Sequence, residues 1–315
     1  MTGYVARRLL QSIPVLIFVS IAVFGLLPLV GGDPAYTLLG PDAAPEQYAQ
    51  VRQDLGLDRP LYEQYWRWAS QALRGNLGTT ILPTHFAVVD VLKQRLPITA
   101  ELGVLAILIG VLTGIPIGIF AAARRRSWLD FWLMNVSLVG IVTPSFVLGL
   151  LFVFVFSLWL RVLPSQGYKP FLDDPIQNLR LMVLPALTLG LGFGAIIARY
   201  TRANVIDAIE QPYITTARAK GLNEPQVLTR HAVKPALIPV VTVVGLQLSV
   251  ILGGAVIIET LFNLPGIGKL IIDSIYLHDF PVVQGAILML SAGFVTINLF
   301  VDLLYGVLDP RVRRG

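Results

Sequence analysis

Six apolar stretches recur along this 315-residue chain, each near the ~20 residues that an α-helix needs to cross the hydrocarbon core of a bilayer. They cover residues 9–30, 98–123, 131–160, 181–198, 236–258 and 282–307. In lipid the backbone must satisfy its own hydrogen bonds, so stretches of this length predict helices. The expected fold class is therefore an all-α integral membrane protein with six transmembrane helices.

The composition argues against a soluble globular domain and against a nucleic-acid-binding protein. Only 14% of the residues are charged, whereas about a quarter of the residues of a soluble domain are charged. The net charge of +5 comes from basic residues beside the apolar stretches, and the longest basic run is Arg124-Arg125-Arg126. No nucleic-acid partner is expected from so short a run. The chain has no cysteine, which rules out a disulfide, a thiolate nucleophile or a cysteine-ligated metal.

The flanks of the stretches predict the topology. Arg7 and Arg8 precede the first stretch as in a secretory signal, but this stretch exceeds the usual ~7–15-residue apolar core and lacks a small-residue cleavage motif. We expect a retained span. With the N-terminus inside, 14 of the 24 Lys and Arg residues fall in inside segments, and most of the others lie in one long loop, which carries little weight. Both termini are predicted to be cytoplasmic.

Three segments organise the chain. Residues 1–30 hold the N-terminus and the first transmembrane helix, residues 31–97 form an external loop region, and residues 98–315 form a core of five helices. The external region contains an aromatic-rich sequence around Trp66 and Trp68 that favours a helix. These two side chains are typical of anchors at the membrane interface, and a substrate-recognition patch is the alternative.

The longest inside segment, residues 199–235, contains a short helix between two breaks. Pro212 precedes this helix, and Gly221, a residue type common after a helix C-terminus, ends it. Asn223 is placed to cap a following helix that has Pro225 in its first turn. The pattern predicts a helical piece that is separated from both neighbouring spans.

One face of the short helix carries Ile214, Ala217 and Gly221 at helical spacing. Small residues on that face would let the backbone of a partner come close. A solvated basic loop that only fixes the topology is the alternative. The segment contains the runs Thr215-Thr216-Ala217-Arg218-Ala219-Lys220-Gly221 and His231-Ala232-Val233-Lys234-Pro235-Ala236.

These runs resemble the EAA loop of the permeases of binding-protein-dependent ABC importers. Ala217 and Gly221 match that pattern, whereas Thr215 and Thr216 replace its acidic residue and first alanine. Lys234 stands where the general pattern has proline. The form A-R-A-K-G is usual in the branch that transports dipeptides, oligopeptides, nickel and glutathione. Further runs that resemble this branch are Tyr4-Val5-Ala6-Arg7-Arg8, Gly32-Asp33-Pro34, Leu55-Gly56-Leu57-Asp58-Arg59-Pro60-Leu61-Tyr62, Leu264-Pro265-Gly266-Ile267-Gly268, Asp279-Phe280-Pro281, Asp302-Leu303-Leu304-Tyr305 and Leu308-Asp309-Pro310-Arg311.

The resemblance implies a type I ABC importer permease fold in a bacterial cell membrane. It also implies that the loop within residues 199–235 forms a coupling helix seated in a groove of an ATPase subunit. The residues expected to couple to that subunit are Tyr213, Ile214, Thr216, Ala217, Ala219, Lys220, Gly221 and Leu222.

The implied partners are a second, homologous permease in a heterodimer, two cytoplasmic ATP-binding subunits, an external solute-binding protein and the lipid bilayer. No cofactor is expected in this chain, because ATP and Mg would be bound by the ATPase subunits. The expected solutes are peptides or similarly small polar molecules. A contact with the binding protein is suggested for the loop residues Phe262, Leu264, Pro265, Gly266 and Ile267, with a tight linker packed on the helix bundle as the alternative.

Two other classes compete with this interpretation. A secondary transporter needs ionisable groups near the membrane midplane, whereas Glu101 and Asp302 lie near the ends of their spans. An intramembrane enzyme is disfavoured because the three histidines, His85, His231 and His278, fall outside the spans. No phosphate-binding G-x-x-x-x-G-K-[ST] motif occurs, so ATP is expected to bind another chain.

Overall fold

The computed structural model describes residues 2–30, 34–41, 43–54, 56–81 and 85–308. Its helices are α1 (Thr2–Val30), α2 (Pro34–Leu39), α3 (Pro45–Asp54), α4 (Leu61–Leu73), α5 (Val88–Ala123), α6 (Trp128–Val142), α7 (Ser145–Phe152, continued by a π-helical segment, Val153–Trp159), α8 (Pro175–Ile209), α9 (Pro212–Ala219), α10 (Glu224–Gln226, continued by a π-helical segment, Val227–Val233), α11 (Lys234–Leu261), α12 (Ile267–Tyr276) and α13 (Phe280–Leu308). The described chain is mostly helical, which confirms the all-α class.

Some sequence features fall outside the described residues. These are the family-like positions Gly32, Asp33, Leu55, Asp309 and Pro310 and the C-terminal basic residues Arg311, Arg313 and Arg314.

The apolar helices agree roughly with six spans. Among the residues that the structure describes, four helices are long and apolar enough to cross a bilayer: Val88–Ala123, Pro175–Ile209, Glu224–Ile251 and Phe280–Leu303. The pair Trp128–Val142 and Ser145–Trp159 passes as a fifth, and α1 contains the shorter apolar stretch Leu10–Gly25.

The third span differs from the continuous helix that the sequence suggests. Its two halves meet at an angle of 104°. Thr143 has an extended backbone (φ −72°, ψ 122°) immediately before Pro144. The proline ring disfavours helical geometry in the residue that precedes it, so the helix ends at Val142 and restarts at Ser145.

One compact unit consists of residues 1–98 and 265–296. The side chain of Asp279 accepts a hydrogen bond from the backbone N–H of Ile81 at 3.2 Å, which ties the chain before α5 to the start of α13. Beside it, Thr79 and Ala87 form an isolated antiparallel bridge. The core of this unit includes Val88, Leu92, Ile267, Val282 and Ala286.

Helix α4, predicted from its aromatic residues, packs against α1. The ring of Phe24 lies 5.6 Å from that of Tyr65 and 5.7 Å from that of Trp68, and the hydroxyls of Ser20 and Tyr65 are 2.8 Å apart. Trp66 is 73% exposed. Trp68 is thus a packing residue within the chain. Only Trp66 remains free to act as an anchor at the membrane interface or as part of a substrate-recognition patch.

The other compact unit consists of residues 99–264 and 297–315. Its central helix is α8, which contacts α6, α7 and α11. Glycine recurs at every fourth position of α5, at Gly110, Gly114 and Gly118. Gly110 and Gly114 meet the backbone of α8 at Gly190 and Gly194, and Gly118 meets it one turn later, at Ala198. The absence of side chains lets the two helix backbones touch.

The two units do not follow the predicted segments 1–30, 31–97 and 98–315. Those segments describe expected membrane topology, whereas the units describe packing. The segment division therefore stays a prediction about topology.

Candidate functional site

The predicted short helix is α9, and its ends are built by local chemistry. Helix α8 ends at Ile209, and Pro212 occupies the first turn of α9 after the extended residue Gln211. At this position the missing N–H of proline costs nothing, because the first N–H groups of a helix have no intrahelical partner.

The C-terminus of α9 is a complete Schellman motif. Gly221 has φ +81°. Its N–H donates to the carbonyl of Arg218 at 2.9 Å, and the N–H of Leu222 donates to the carbonyl of Ala217 at 3.4 Å. This hydrogen-bond pair requires a left-handed residue, which glycine supplies without a Cβ penalty. The predicted stop at Gly221 is confirmed.

The buried face of α9 packs on its own chain. Ile214 is fully buried and Ala217 is 6% exposed. They belong to one apolar cluster with Ala122, Val205, Ala208, Val227, Ala232 and Ala236. The expectation that this face admits the backbone of a partner is therefore wrong, because the ends of α5 and α8 and the segment before α11 already occupy it. A Cβ atom at Gly221 would meet nothing within 4 Å, so this glycine is not part of the packed face.

The opposite face of α9 is open to a partner. Tyr213 is 44% exposed, and Thr216, Ala219, Lys220 and Leu222 are exposed as well. Of the eight residues predicted to couple, Ile214 and Ala217 support the helix from beneath, and the other six lie on its free surface or at its end.

An ion pair and a helix cap stabilise this segment. The guanidinium of Arg218 donates to both carboxylate oxygens of Glu224, at 2.7 and 3.2 Å, and this pairing raises the pKa of Arg218 above its usual value. The side chain of Asn223 accepts a hydrogen bond from the N–H of Gln226 at 3.0 Å, which confirms the predicted cap. The Arg218–Glu224 pair was not predicted from the sequence, although opposite charges on either side of a glycine turn could have indicated it.

A second brace joins α6 to α8 at the same end of the helices. The Nε and an Nη of Arg202 donate to the two carboxylate oxygens of Asp130 at 2.6 and 2.7 Å. Asp130 also accepts from the N–H of Arg126 at 3.0 Å, while its own N–H donates to the side chain of Ser127. The Ser127-x-x-Asp130 spacing is a capping signal from which the start of α6 could have been predicted.

Two further carboxylates of this unit, Glu101 and Glu259, accept hydrogen bonds from hydroxyl groups. Glu101 accepts a hydrogen bond from the hydroxyl of Tyr168 at 2.9 Å, and burial and this contact raise the pKa of Tyr168 to about 12. Glu259 is fully buried and accepts from the hydroxyl of Thr99 at 2.6 Å. The predicted fifth span, residues 236–258, ends one residue before Glu259, which would place this carboxylate at the start of an external loop. It lies instead inside α11, two residues before its end.

The loop predicted to meet a binding protein is largely buried. Phe262 is 1% exposed, and Leu264 and Ile267 are fully buried. Phe262 also accepts a hydrogen bond through its carbonyl from the N–H of Gly167 at 3.0 Å. The prediction that these three apolar side chains contact the binding protein is therefore wrong, because they are packed within the chain. The remaining residues, Pro265 and Gly266, form the turn before α12.

Within the described part of the chain, no group of three or more His, Asp or Glu side chains is close enough to hold a metal ion.

Bacterial proteins are similar to this chain over nearly its whole length. A protein of Brucella abortus that is named as a peptide transport system permease is 43% identical to this chain over 313 residues. The alignment covers 99% of each of the two chains. The glutathione transport system permease protein GsiC of Escherichia coli is 41% identical over 313 residues, with the same coverage. A solved amino acid ABC transporter is similar to 69% of this chain and 93% of its own, with 18% identity and a TM-score of 0.49. This last similarity is too distant to carry an argument.

Two family descriptions together match most of the chain. The N-terminal component of binding-protein-dependent transport system membrane proteins matches residues 1–103. The inner membrane component of binding-protein-dependent transport systems matches residues 114–314, which include the whole of α9 and its supports. The chain is therefore a permease of this kind and not a secondary transporter. The chain belongs to the family of binding-protein-dependent transport system inner membrane components and is a permease subunit of an ABC importer.

Proposed function

We propose that this permease pairs with a homologous but distinct permease to line one translocation path, driven by two cytoplasmic ATP-binding subunits and supplied by an external solute-binding protein. Helix α9 is the element that couples the path to ATP hydrolysis. The observation that carries this proposal is the two-sidedness of α9. One face is locked onto the chain through Ile214 and Ala217, and the other is free.

The packing of α9 explains how force would reach the membrane. The buried cluster joins α9 to Ala122 at the end of α5, to Val205 and Ala208 near the end of α8, and to Ala236 at the start of α11. Protein interiors are close-packed and have low compressibility, so a displacement of α9 moves these helix ends with it. Closure of the ATPase subunits would therefore be transmitted to three apolar helices at once.

Paired cysteine variants at two alanines test the coupling role. The chain has no native cysteine, so Ala219→Cys and Ala217→Cys place one thiol on the free face and one on the buried face of the same helix. In the assembled importer, we expect a short crosslinker to join Ala219→Cys to the ATPase subunit and Ala217→Cys to remain unlinked. Capture at neither position, in an importer that retains uptake, would reject α9 as the attachment element.

We also propose that both termini are cytoplasmic. Cysteines at the exposed positions Asp58 and Asp173 should then react with an impermeant thiol reagent applied from outside intact cells, and a cysteine at the exposed Asn223 should react only after permeabilisation. The reverse labelling pattern would overturn the orientation and, with it, the access of α9 to cytoplasmic subunits.

Peptides or similarly small polar molecules are the proposed solutes. The names of the two relatives, a peptide permease and a glutathione permease, support this class. In our proposal the chain catalyses no reaction, and ATP and Mg bind the partner ATPase subunits. Isothermal titration of the purified binding protein with dipeptides, glutathione and an unrelated sugar would identify the solute. Binding of the sugar alone would contradict the proposal.

The external binding protein would contact exposed residues near the end of α12. Ile275, Tyr276 and Leu277 are 46%, 79% and 53% exposed, in contrast to the buried Phe262 and Leu264. Photo-crosslinkers at Tyr276 should capture the binding protein during uptake. The matched control is a crosslinker at the buried Ser274, which should capture nothing. Equal yields at the two positions would argue against docking on this surface.

A further inference from the structure

A cleft between α6 and α8 carries more positive charge than the described part of the chain neutralises. Its volume is about 610 Å³, and its lining includes Arg126, Arg199, Arg202 and Asp130. Both carboxylate oxygens of Asp130 accept hydrogen bonds from Arg202, so this carboxylate is already paired. Arg126 and Arg199 form no ion pair with any other described residue. Two guanidinium groups in one cleft are thus left without a counter-ion among the residues described.

The same cleft has an apolar side that runs along α6. Phe131, Met134 and Leu138 line it at intervals of three and four residues, which places them on one face of the helix over a length of ~10 Å, at a rise of about 1.5 Å per residue. The cleft is therefore cationic at one end and apolar along its length. A small anion such as free phosphate would use only the cationic end.

Exposed aromatic residues lie beside the cationic end. Trp128, Phe131 and Trp132 are 72%, 54% and 50% exposed, and their ring centroids are 5.6 to 6.0 Å apart. Aromatic side chains of this kind concentrate at the headgroup level of bilayers. Their position indicates that the cationic end of the cleft opens at the headgroup level of a membrane.

We propose that this cleft binds one anionic phospholipid, with its phosphate against Arg126 and Arg199 and an acyl chain along Phe131, Met134 and Leu138. The complementary features are the uncompensated charge, the apolar groove and the interfacial aromatics. Basic pockets between transmembrane helices bind anionic headgroups through the same chemistry. The lipid would belong to the inner leaflet if this end of the helices is cytoplasmic, as proposed above. The existence of the site does not depend on that orientation.

The test compares a double variant, Arg126→Gln with Arg199→Gln, with a control, Arg124→Gln. Arg124 is an exposed arginine of the same turn that does not line the cleft. The complete importer is placed in nanodiscs, and native mass spectrometry counts the phosphatidylglycerol retained as its mole fraction in phosphatidylcholine rises. We expect apparent affinity to fall by about fivefold for each arginine removed, as for basic residues near a charged membrane surface, and to be unchanged in the control.

Three outcomes would overturn the proposal. Equal retention of phosphatidylglycerol by the wild type and the double variant would show that the arginines do not hold a lipid. Competition by inorganic phosphate at millimolar concentration would assign the cationic end to a free anion. Loss of the second permease from the double variant would show that the cleft is a subunit interface. An inverted orientation in the thiol-labelling experiment would move the lipid to the outer leaflet without changing its dependence on the arginines, so the two proposals fail separately.

Discussion

Gly114 on α5 faces the backbone of Gly194 on α8 so closely that a Cβ atom at position 114 would lie 2.5 Å from the carbonyl oxygen of Gly194. The contact repeats one turn later, where a Cβ atom at Gly118 would lie 2.5 Å from the carbonyl oxygen of Ala198. A backbone atom cannot move aside as a flexible side chain can. The distance between these two helices is therefore set by the absence of side chains.

Gly114→Ala should destabilise the permease, because the added methyl group forces the two helix backbones apart. Overpacking of this kind costs roughly 1–3 kcal/mol. The matched control is Gly192→Ala on α8, where the added carbon would have its nearest neighbour at 4.0 Å. Thermal unfolding of the detergent-solubilised chain should show a lower midpoint for the first variant only. Equal midpoints would mean that the helices separate without cost.

The Asp130–Arg202 pair should stabilise the junction of α6 and α8 more than an exposed ion pair does. The side chains are 7% and 30% exposed, so Arg202→Ala leaves a nearly buried carboxylate without its partner. We expect a loss of about 1–3 kcal/mol, below the roughly 3–5 kcal/mol of a fully buried pair. The double variant with Asp130→Asn should recover part of this loss, and a double-mutant cycle measures the coupling.

The exposed pair Arg125–Glu210 provides the comparison for that cycle. Its side chains are 43% and 59% exposed, and solvent screening should limit its contribution to less than about 1 kcal/mol. A coupling energy for Asp130 and Arg202 no larger than that of the exposed pair would contradict the structural role assigned to the buried one.

Asp279 should make the stability of its unit depend on pH. Burial raises the pKa of this carboxyl group, against the opposing effect of hydrogen bonds from the backbone N–H groups of Ile81 and Val282. The folded state therefore binds the proton more tightly than the unfolded state. As pH rises from the unfolded pKa of about 3.9 through the raised folded pKa, the contribution of Asp279 to the free energy of unfolding falls.

Asp279→Asn keeps an oxygen acceptor for Ile81 and removes the charge, so it should remove this part of the pH dependence. Relative to the wild type, the variant should gain stability as pH increases from 4 to 7 in thermal unfolding experiments. Asp58→Asn, at an exposed position, serves as the control and should leave the pH profile unchanged. A constant difference between wild type and Asp279→Asn across that range would rule out titration of Asp279.

Three substitutions at Gly221 should separate its conformation from its surroundings. The position has φ +81° and open space around it, so the cost of a side chain is conformational. Gly221→Asn should be nearly silent because asparagine tolerates the left-handed region, whereas Gly221→Val should cost about 1–2 kcal/mol locally. Gly221→Asp has nearly the shape of the asparagine variant but adds a negative charge at a helix C-terminus, which costs about 0.3–1 kcal/mol.

Uptake and the amount of ATPase subunit retained on the membrane would distinguish these variants. The valine variant should lose most of both, the aspartate variant should lose a smaller part of each, and the asparagine variant should keep them. Loss in all three would indicate that the partner contacts the position directly, contrary to an effect through the shape of the turn.

Local patterns predicted much of this protein correctly. The short helix between Pro212 and Gly221 and the Asn223 cap depend on residues within a few positions of one another, and each has one dominant backbone solution. The bend at Pro144 is equally local, and its signal was present in the sequence. Six apolar stretches were enough to assign the membrane class, because a bilayer leaves few structures available to a polar backbone.

Tertiary structure alone decided which faces those helices use. Ile214 and Ala217 have the same spacing whether they meet a partner or their own chain, and only the approach of α5, α8 and the segment before α11 buries them internally. Asp130 and Arg202 are 72 residues apart, so no local pattern predicts their pairing. The burial of Glu259 likewise depends on the neighbours of α11. Helix ends are short-range features that the sequence can specify by itself, whereas the partner of a helix face is determined by contacts between residues distant along the chain.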